Sequence, residues 1–345
     1  MLRIDDHRWP LQARRFAIPL LLTLVFCSTG ASAQQTNLFD QGLSLFKRGD
    51  YGKAAETFAG VLDSDPTQTE ARLYLGKALI NAGRFGEAEA ALRHYMTAGS
   101  TSDEGLFLLA YTLFRQGRAR ESLALYEQAA TLKTPATDDL KIIGLNYGLL
   151  RNYKRSAEYL EKAIAANPDN LEALYYLGRV RFTQNHFEEA MRAFEEVLKR
   201  DPGHVKAQNN IGQVLEAQNN IEGAIAAYRR AVEMSRSSSG LSELPLLNLG
   251  VLLLERNQVE EALSLLLRAS TANPASAKVR LELGRAYLRS GRLTDAEREL
   301  IRATRIDPDD IAARYQLGRL YHRLGKKELA RHELKMSEQL REKRH

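Results

Sequence analysis

Apolar residues along most of this chain recur at three- and four-residue steps, the spacing that places them on one stripe of an α-helix. Short polar breaks interrupt the stripes. Asn81-Ala82-Gly83, Gln116-Gly117 and Ser290-Gly291 each carry turn chemistry between two amphipathic stretches, which predicts pairs of helices joined by tight turns. Proline closes several of the pairs, at Pro66, Pro168, Pro202, Pro274 and Pro308. Proline lacks the N–H that a helix interior needs, so each of these marks the end of a second helix and the approach of the next pair.

The pairs keep a common phase. Glycine stands at 42, 76, 144, 178, 212, 250, 284 and 318, with Ala110 filling the gap. The step is 34 residues, except for 38 between Gly212 and Gly250. Twelve residues after each comes a second small residue: Ala54, Ala88, Ser122, Ser156, Ala190, Ala224, Ala262, Ala296 and Ala330. Four further on stands a bulky one: Phe58, Leu92, Tyr126, Leu160, Phe194, Tyr228, Leu266, Leu300 and Leu334. Two small residues let paired helices approach closely, and the bulky one fills the space beside them. A period in this range means a repeat array, in which each unit buries its apolar face only against its neighbours.

This pattern resembles the tetratricopeptide repeat family, and the resemblance covers residues 35–344. It implies an all-α fold, a right-handed α-solenoid of nine stacked helix-turn-helix hairpins with a concave inner groove. Repeats 1–6 would occupy residues 35–234 and repeats 7–9 residues 243–345, ending in a charged tail. Between them, residues 235–242 hold Ser235-Arg236-Ser237-Ser238-Ser239-Gly240 and the four extra residues. Serine and glycine form helix poorly, so the second helix of repeat 6 is expected to end near Met234. The segment reads as a tolerated surface insertion or as a hinge.

The first 33 residues break the pattern. Arg3, Arg8, Arg14 and Arg15 precede an apolar run from Phe16 to Phe26, followed by Ala31-Ser32-Ala33. That order of basic, apolar and small residues predicts a secretory signal peptide cleaved after Ala33. The apolar run is too short for a membrane span, and the bulky Phe26 before Cys27 argues against lipoprotein processing. The protein is therefore expected to be exported, to a periplasm or beyond, with no transmembrane span after cleavage. Cys27 is the only cysteine and Trp9 the only tryptophan, so the cleaved chain would have neither thiol nor indole.

The formal charge of +6 is modest for 345 residues, so nucleic acid is not an expected partner. Catalytic signatures are missing from the sequence: no phosphate-binding glycine loop, no H-E-x-x-H and no G-x-S-x-G occurs. No enzyme activity, cofactor or metal is expected. His322 and His332 are the nearest thing to a metal pair, and they fall on different helices.

In the resembled family, positions 2, 5, 9, 12 and 13 of each first helix line the groove. Carried over residue by residue, these give an aromatic stretch of Phe39, Phe46, Phe107, Tyr111 and Phe114, continued by Tyr175, Arg179 and Phe182. A polar stretch of Asn209 and Gln213 follows. A basic stretch ends the row with Lys278, Arg285, Arg289, Tyr315, Arg319, His322 and Arg323. Aromatic and arginine side chains are the usual anchors of protein interfaces. Some family members hold acidic chaperone tails with Lys and Asn at positions 5 and 9. Here those pairs read Phe39/Leu43, Leu73/Lys77, Phe107/Tyr111, Lys141/Leu145, Tyr175/Arg179 and Asn209/Gln213, so that clamp is missing. The expected function is a non-catalytic scaffold outside the cytoplasm. It would bind segments of other proteins, acidic ones included, and assemble envelope or secretion components. The alternatives are polyanion or acidic-polysaccharide binding through the basic repeats, and service as an accessory subunit of a separate enzyme.

Overall fold

The computed structural model describes residues 31–97, 102–237 and 242–343, and among these every regular element is an α-helix. The chain divides into two compact units between Gln184 and Asn185. The first unit holds α1 (Ala31–Lys47), α2 (Tyr51–Ser64), α3 (Thr69–Asn81), α4 (Phe85–Thr97), α5 (Asp103–Arg115), α6 (Ala119–Leu132), α7 (Thr137–Leu149), α8 (Tyr153–Ala166) and α9 (Leu171–Thr183). The second holds α10 (Phe187–Arg200), α11 (Val205–Ala217), α12 (Ile221–Ser237), α13 (Glu243–Glu255), α14 (Val259–Ala272), α15 (Ala277–Arg289), α16 (Leu293–Ile306), α17 (Ile311–Arg323) and α18 (Lys327–Glu342). These helices build an all-α helical solenoid from paired hairpins at the predicted phase.

Local chemistry sets the helix ends. Ser102, Asn152, Asn170, Ser276 and Asp310 each accept a backbone N–H from the first turn of the helix they precede, satisfying donors that the helix itself leaves orphaned. Inside the hairpins the chain reverses through one residue in the left-handed region. Glycine fills that place at 49, 83, 117, 291 and 325, while Arg151, Asn185, Asn219 and Asn257 occupy it with φ between 60 and 62°. At the turns between repeats, Arg72, Arg280 and Arg314 donate to the carbonyls of Pro66, Pro274 and Pro308, six residues earlier (2.5, 3.2 and 2.7 Å). Proline leaves its carbonyl as its one backbone hydrogen-bonding group, and these arginines use it to tie the turn to the helix that follows.

The small–small–large pattern is the core of each hairpin. A methyl group built on Gly76 would lie 2.7 Å from Leu92, and one on Gly212 would lie 2.9 Å from Cζ of Tyr228 and closer to two other ring atoms. Leu92 and Tyr228 are fully buried. Where the second small residue is serine, its hydroxyl donates across the contact: Ser122 to the Ala110 carbonyl and Ser156 to that of Gly144, both at 2.7 Å. Within each unit successive odd-numbered helices touch one another, as α3 does α5 and α15 does α17, while no such pairing of successive even-numbered helices stands out. Odd helices therefore lie on the inner side of the curvature within each unit.

At the insertion, α12 continues to Ser237, three residues past the end expected from its composition. Ser235 is buried, and its hydroxyl donates to the Val232 carbonyl at 2.8 Å, so serine here finds its partner inside the helix instead of ending it. Residues 238–241 of that segment lie outside the described residues. So do residues 1–30 of the expected signal peptide, with Trp9 and Cys27, whereas Ala31–Ala33 open α1. No helix among the described residues is long and apolar enough to cross a membrane.

Candidate peptide-binding face

On the inner helices of the first unit, the expected aromatic surface is largely packing. Phe114 is 1% exposed, Tyr111 6% and Tyr175 7%. These three are interior residues, which corrects their expected place in the groove. Tyr111 and Phe114 lie ring against ring at 6.3 Å, and Arg115 donates to the Tyr111 hydroxyl at 2.9 Å while its guanidinium covers the Phe85 ring at 4.5 Å. Tyr175 meets Tyr176 edge-on at 5.4 Å, and Arg179 stands 5.8 and 5.6 Å from the two ring centres. Phe39 and Phe46 pack on Tyr74 from the neighbouring repeat at 5.8 and 6.0 Å. Phe107 and Phe182 are half-buried, and the Phe107 ring lies 5.9 Å from that of Tyr126.

Charge in this unit is also spent between repeats. Lys77 pairs with Glu104 at 2.7 Å, and Lys141 with Glu172 at 2.6 Å and Asp138 at 3.2 Å. Burial works against the charge on Lys141, but the two carboxylates outweigh it and hold its pKa above the usual value. These bridges went unread in the sequence, although acids recur at 34-residue steps as Glu70, Glu104, Asp138 and Glu172. Asp139 differs from them. It is buried, and desolvation pushes its carboxyl up to about 6, while Oδ2 accepts the Ala136 N–H at 3.0 Å. The charges of Asp138 and Lys133 and the buried Tyr126 also act on it.

In the second unit, the structure sorts the basic residues. Lys278 and Arg285 flank Glu282, a carboxylate 1% exposed, at 3.0 and 2.9 Å, so both are already paired. Arg289 donates to the Leu254 carbonyl at the end of α13, which also accepts the Asn257 N–H at 3.1 Å, and a cation there complements the helix dipole. Asn209 is buried and accepts from Asn248 at 3.0 Å, so the polar character of repeat 6 also serves a seam between inner helices. Arg319 and Arg323 remain. Both are exposed, and neither has a carboxylate partner among the described residues. They stand four residues apart on α17, a helix with no acidic residue. Tyr315, four residues before Arg319, is 41% exposed, and the Arg319 guanidinium lies 5.8 Å from its ring centre. Of the residues expected to form the groove, Tyr315, Arg319 and Arg323, with the exposed His322 beside them, are brought together on an open face. Among the described residues no group of three or more His, Cys, Asp or Glu side chains stands ready to hold a metal ion.

Paired helices at a 34-residue phase, stacked through their inner members, define a helical-hairpin repeat protein. Profiles of the tetratricopeptide repeat match residues 45–101, 150–194 and 253–313, and further profiles described by the same words match 178–239, 104–128 and 311–343. The chain belongs to the tetratricopeptide repeat family, whose members bind other proteins or peptides and generally act as non-catalytic scaffolds. No curated protein matches it. Among solved structures, yeast Tom70 is similar at a TM-score of 0.60 and 17% identity, over 95% of this chain and 68% of that one. The APC/C hetero-tetramer Cut9–Hcn1 gives 0.57 and 13%, over 85% and 57%. The C-terminal part of a TPR repeat-containing protein from Cytophaga hutchinsonii gives 0.54 and 16%, over 71% and 99%. At these identities the likeness is one of fold alone.

Proposed function

We propose that this protein is an exported scaffold that holds acidic segments of partner proteins on the inner face of its second unit and so assembles envelope or secretion components. The observation that carries the reading is the pair Arg319 and Arg323, two exposed guanidinium groups with no internal counter-charge, beside an exposed tyrosine. Of the other cations expected on this unit's inner face, Lys278 and Arg285 share the Glu282 carboxylate and Arg289 is held by the Leu254 carbonyl, so Arg319 and Arg323 are the pair with neither a carboxylate nor a carbonyl partner among the described residues. Arginine suits carboxylates because its planar fork can pair with both oxygens. The order of basic, apolar and small residues at 1–33 supports export.

Affinity capture from envelope extracts tests the reading, with the full chain and an Arg319→Gln/Arg323→Gln variant as baits. Acidic partners are expected with the first and not with the second. Identical partner sets would refute the assignment of the face. The mass of the purified exported form tests the location: it should begin at Gln34, and a form still carrying Trp9 would refute cleavage after Ala33.

A further inference from the structure

The stripe on α17 has a spacing as well as a charge. Tyr315, Arg319 and Arg323 follow one another at four-residue intervals. At about 1.5 Å of rise per residue, successive members are displaced by roughly 6 Å along the helix axis. In an extended chain the side chains of residues i and i+2 point the same way and are separated by about 6.6 Å. Along the axis the two repeats nearly coincide over three members, and because four residues turn about 40° beyond a full circle the extended segment would cross α17 obliquely. A fully helical ligand fits less well, because such a ligand docks an apolar face into an apolar groove, and here the open stripe offers one aromatic ring and two cations. A partner side chain reaching this stripe meets charge that α17 itself cannot neutralise, since it has no Asp or Glu.

We infer that the α17 stripe reads a short extended segment of the form acid-x-acid-x-apolar, with the two carboxylates on Arg323 and Arg319 and the apolar side chain on the Tyr315 ring. This deepens the proposed function and rests on its reading that the second unit takes acidic segments. The intervening residues point away from α17 and are not read. Specificity comes from register: two acids placed side by side would direct one carboxylate away from the arginines and leave one guanidinium unpaired. Tyr315 adds an apolar contact at the end of the stripe, with Arg319 already over its ring at 5.8 Å.

The test uses the full chain and fluorescein-labelled peptides in an anisotropy titration at low salt. One peptide contains Asp-Ser-Asp-Ser-Leu. The second has the same composition reordered as Asp-Asp-Ser-Ser-Leu. The in-register peptide is expected to bind roughly tenfold more tightly, the effect of one charge-assisted pair gained. Arg319→Gln and Arg323→Gln should each remove that preference. Arg305→Gln, on the outer helix α16, removes the same charge and should leave the preference intact. Far-ultraviolet circular dichroism confirms that each variant keeps its helices. Equal affinity for the two peptides would overturn the proposal, as would an undiminished preference in either α17 variant. Tight binding of a sulfated polysaccharide with no binding of either peptide would also overturn it, in favour of an acidic sugar. Capture of envelope partners unaffected by the α17 variants would remove this site while leaving the scaffold reading in place.

Discussion

Replacing Gly212 by alanine tests whether the small–large contact holds each hairpin together. Two effects of opposite sign meet at this residue. Alanine favours helix over glycine by about 0.8–1.0 kcal/mol in a helix interior. Against that, the new methyl group would lie 2.9 Å from Cζ of Tyr228 and nearer still to two other ring atoms, well inside van der Waals contact. The ring cannot swing aside freely, because Tyr228 is fully buried and its hydroxyl donates to Glu216 at 2.7 Å. Overpacking of this kind costs about 1–3 kcal/mol, and disturbing the bond to a carboxylate adds to it. The expected result is a net loss of about 1–2 kcal/mol, centred on α11 and α12. Gly60, in the middle of α2, is the control. Its nearest foreign atom is Cδ2 of Leu38, 3.7 Å from the position of an added Cβ. There the helix preference should act unopposed, and Gly60→Ala should gain about 0.5–1 kcal/mol. Repeat arrays can unfold in segments, so amide hydrogen exchange is the assay of choice. Exchange across α11 and α12 should quicken by roughly tenfold in Gly212→Ala, and that across α2 should slow in Gly60→Ala. Unchanged exchange in Gly212→Ala would refute the close-contact account, and so would a loss of protection in the control.

Arg151→Gly should raise stability by about 1 kcal/mol, because an L-residue in the left-handed region costs about 1–2 kcal/mol and Arg151 sits there at φ 60° on the surface; a lower urea midpoint would refute this. Asp139→Asn should flatten the pH dependence of stability. The folded carboxyl holds its proton up to about pH 6 against an ordinary value of 3.8, so the wild type loses stability as pH rises from about 4 to 6 and stays lower above that. Asparagine keeps an acceptor for the Ala136 N–H without the buried charge. Its advantage should therefore be small near about pH 4 and reach up to about 3 kcal/mol at about pH 7.5 by urea unfolding. An advantage equal at both pH values would count against the assignment. Arg289→Met should quicken amide exchange at the end of α13, a loss of about 1 kcal/mol, and leave acidic-peptide binding unchanged; weakened binding would return Arg289 to the ligand face.

The nine-fold phase, the helix pairs and the Gly212–Tyr228 type of contact could be read from residues alone, since each depends on spacing within one hairpin. The left-handed turns at Gly83, Gly117 and Gly291 were legible for the same reason. Their equivalents at Arg151, Asn219 and Asn257 were not, because only the phase and the observed φ mark an arginine or asparagine as doing glycine's work. Exposure on the inner face was the part tertiary structure decided. A residue such as Phe114 or Arg319 lies on the same side of its helix by periodicity, yet one is buried and the other open. What separates them is whether a partner already stands in front of each side chain: Glu282 claims Lys278 and Arg285 on its own helix, the Leu254 carbonyl claims Arg289 from 35 residues earlier, and nothing acidic on α17 claims Arg319 or Arg323. Sequence sets which face a side chain takes, because that follows from 3.6 residues per turn. Only the packed array sets whether the space in front of that face is already filled.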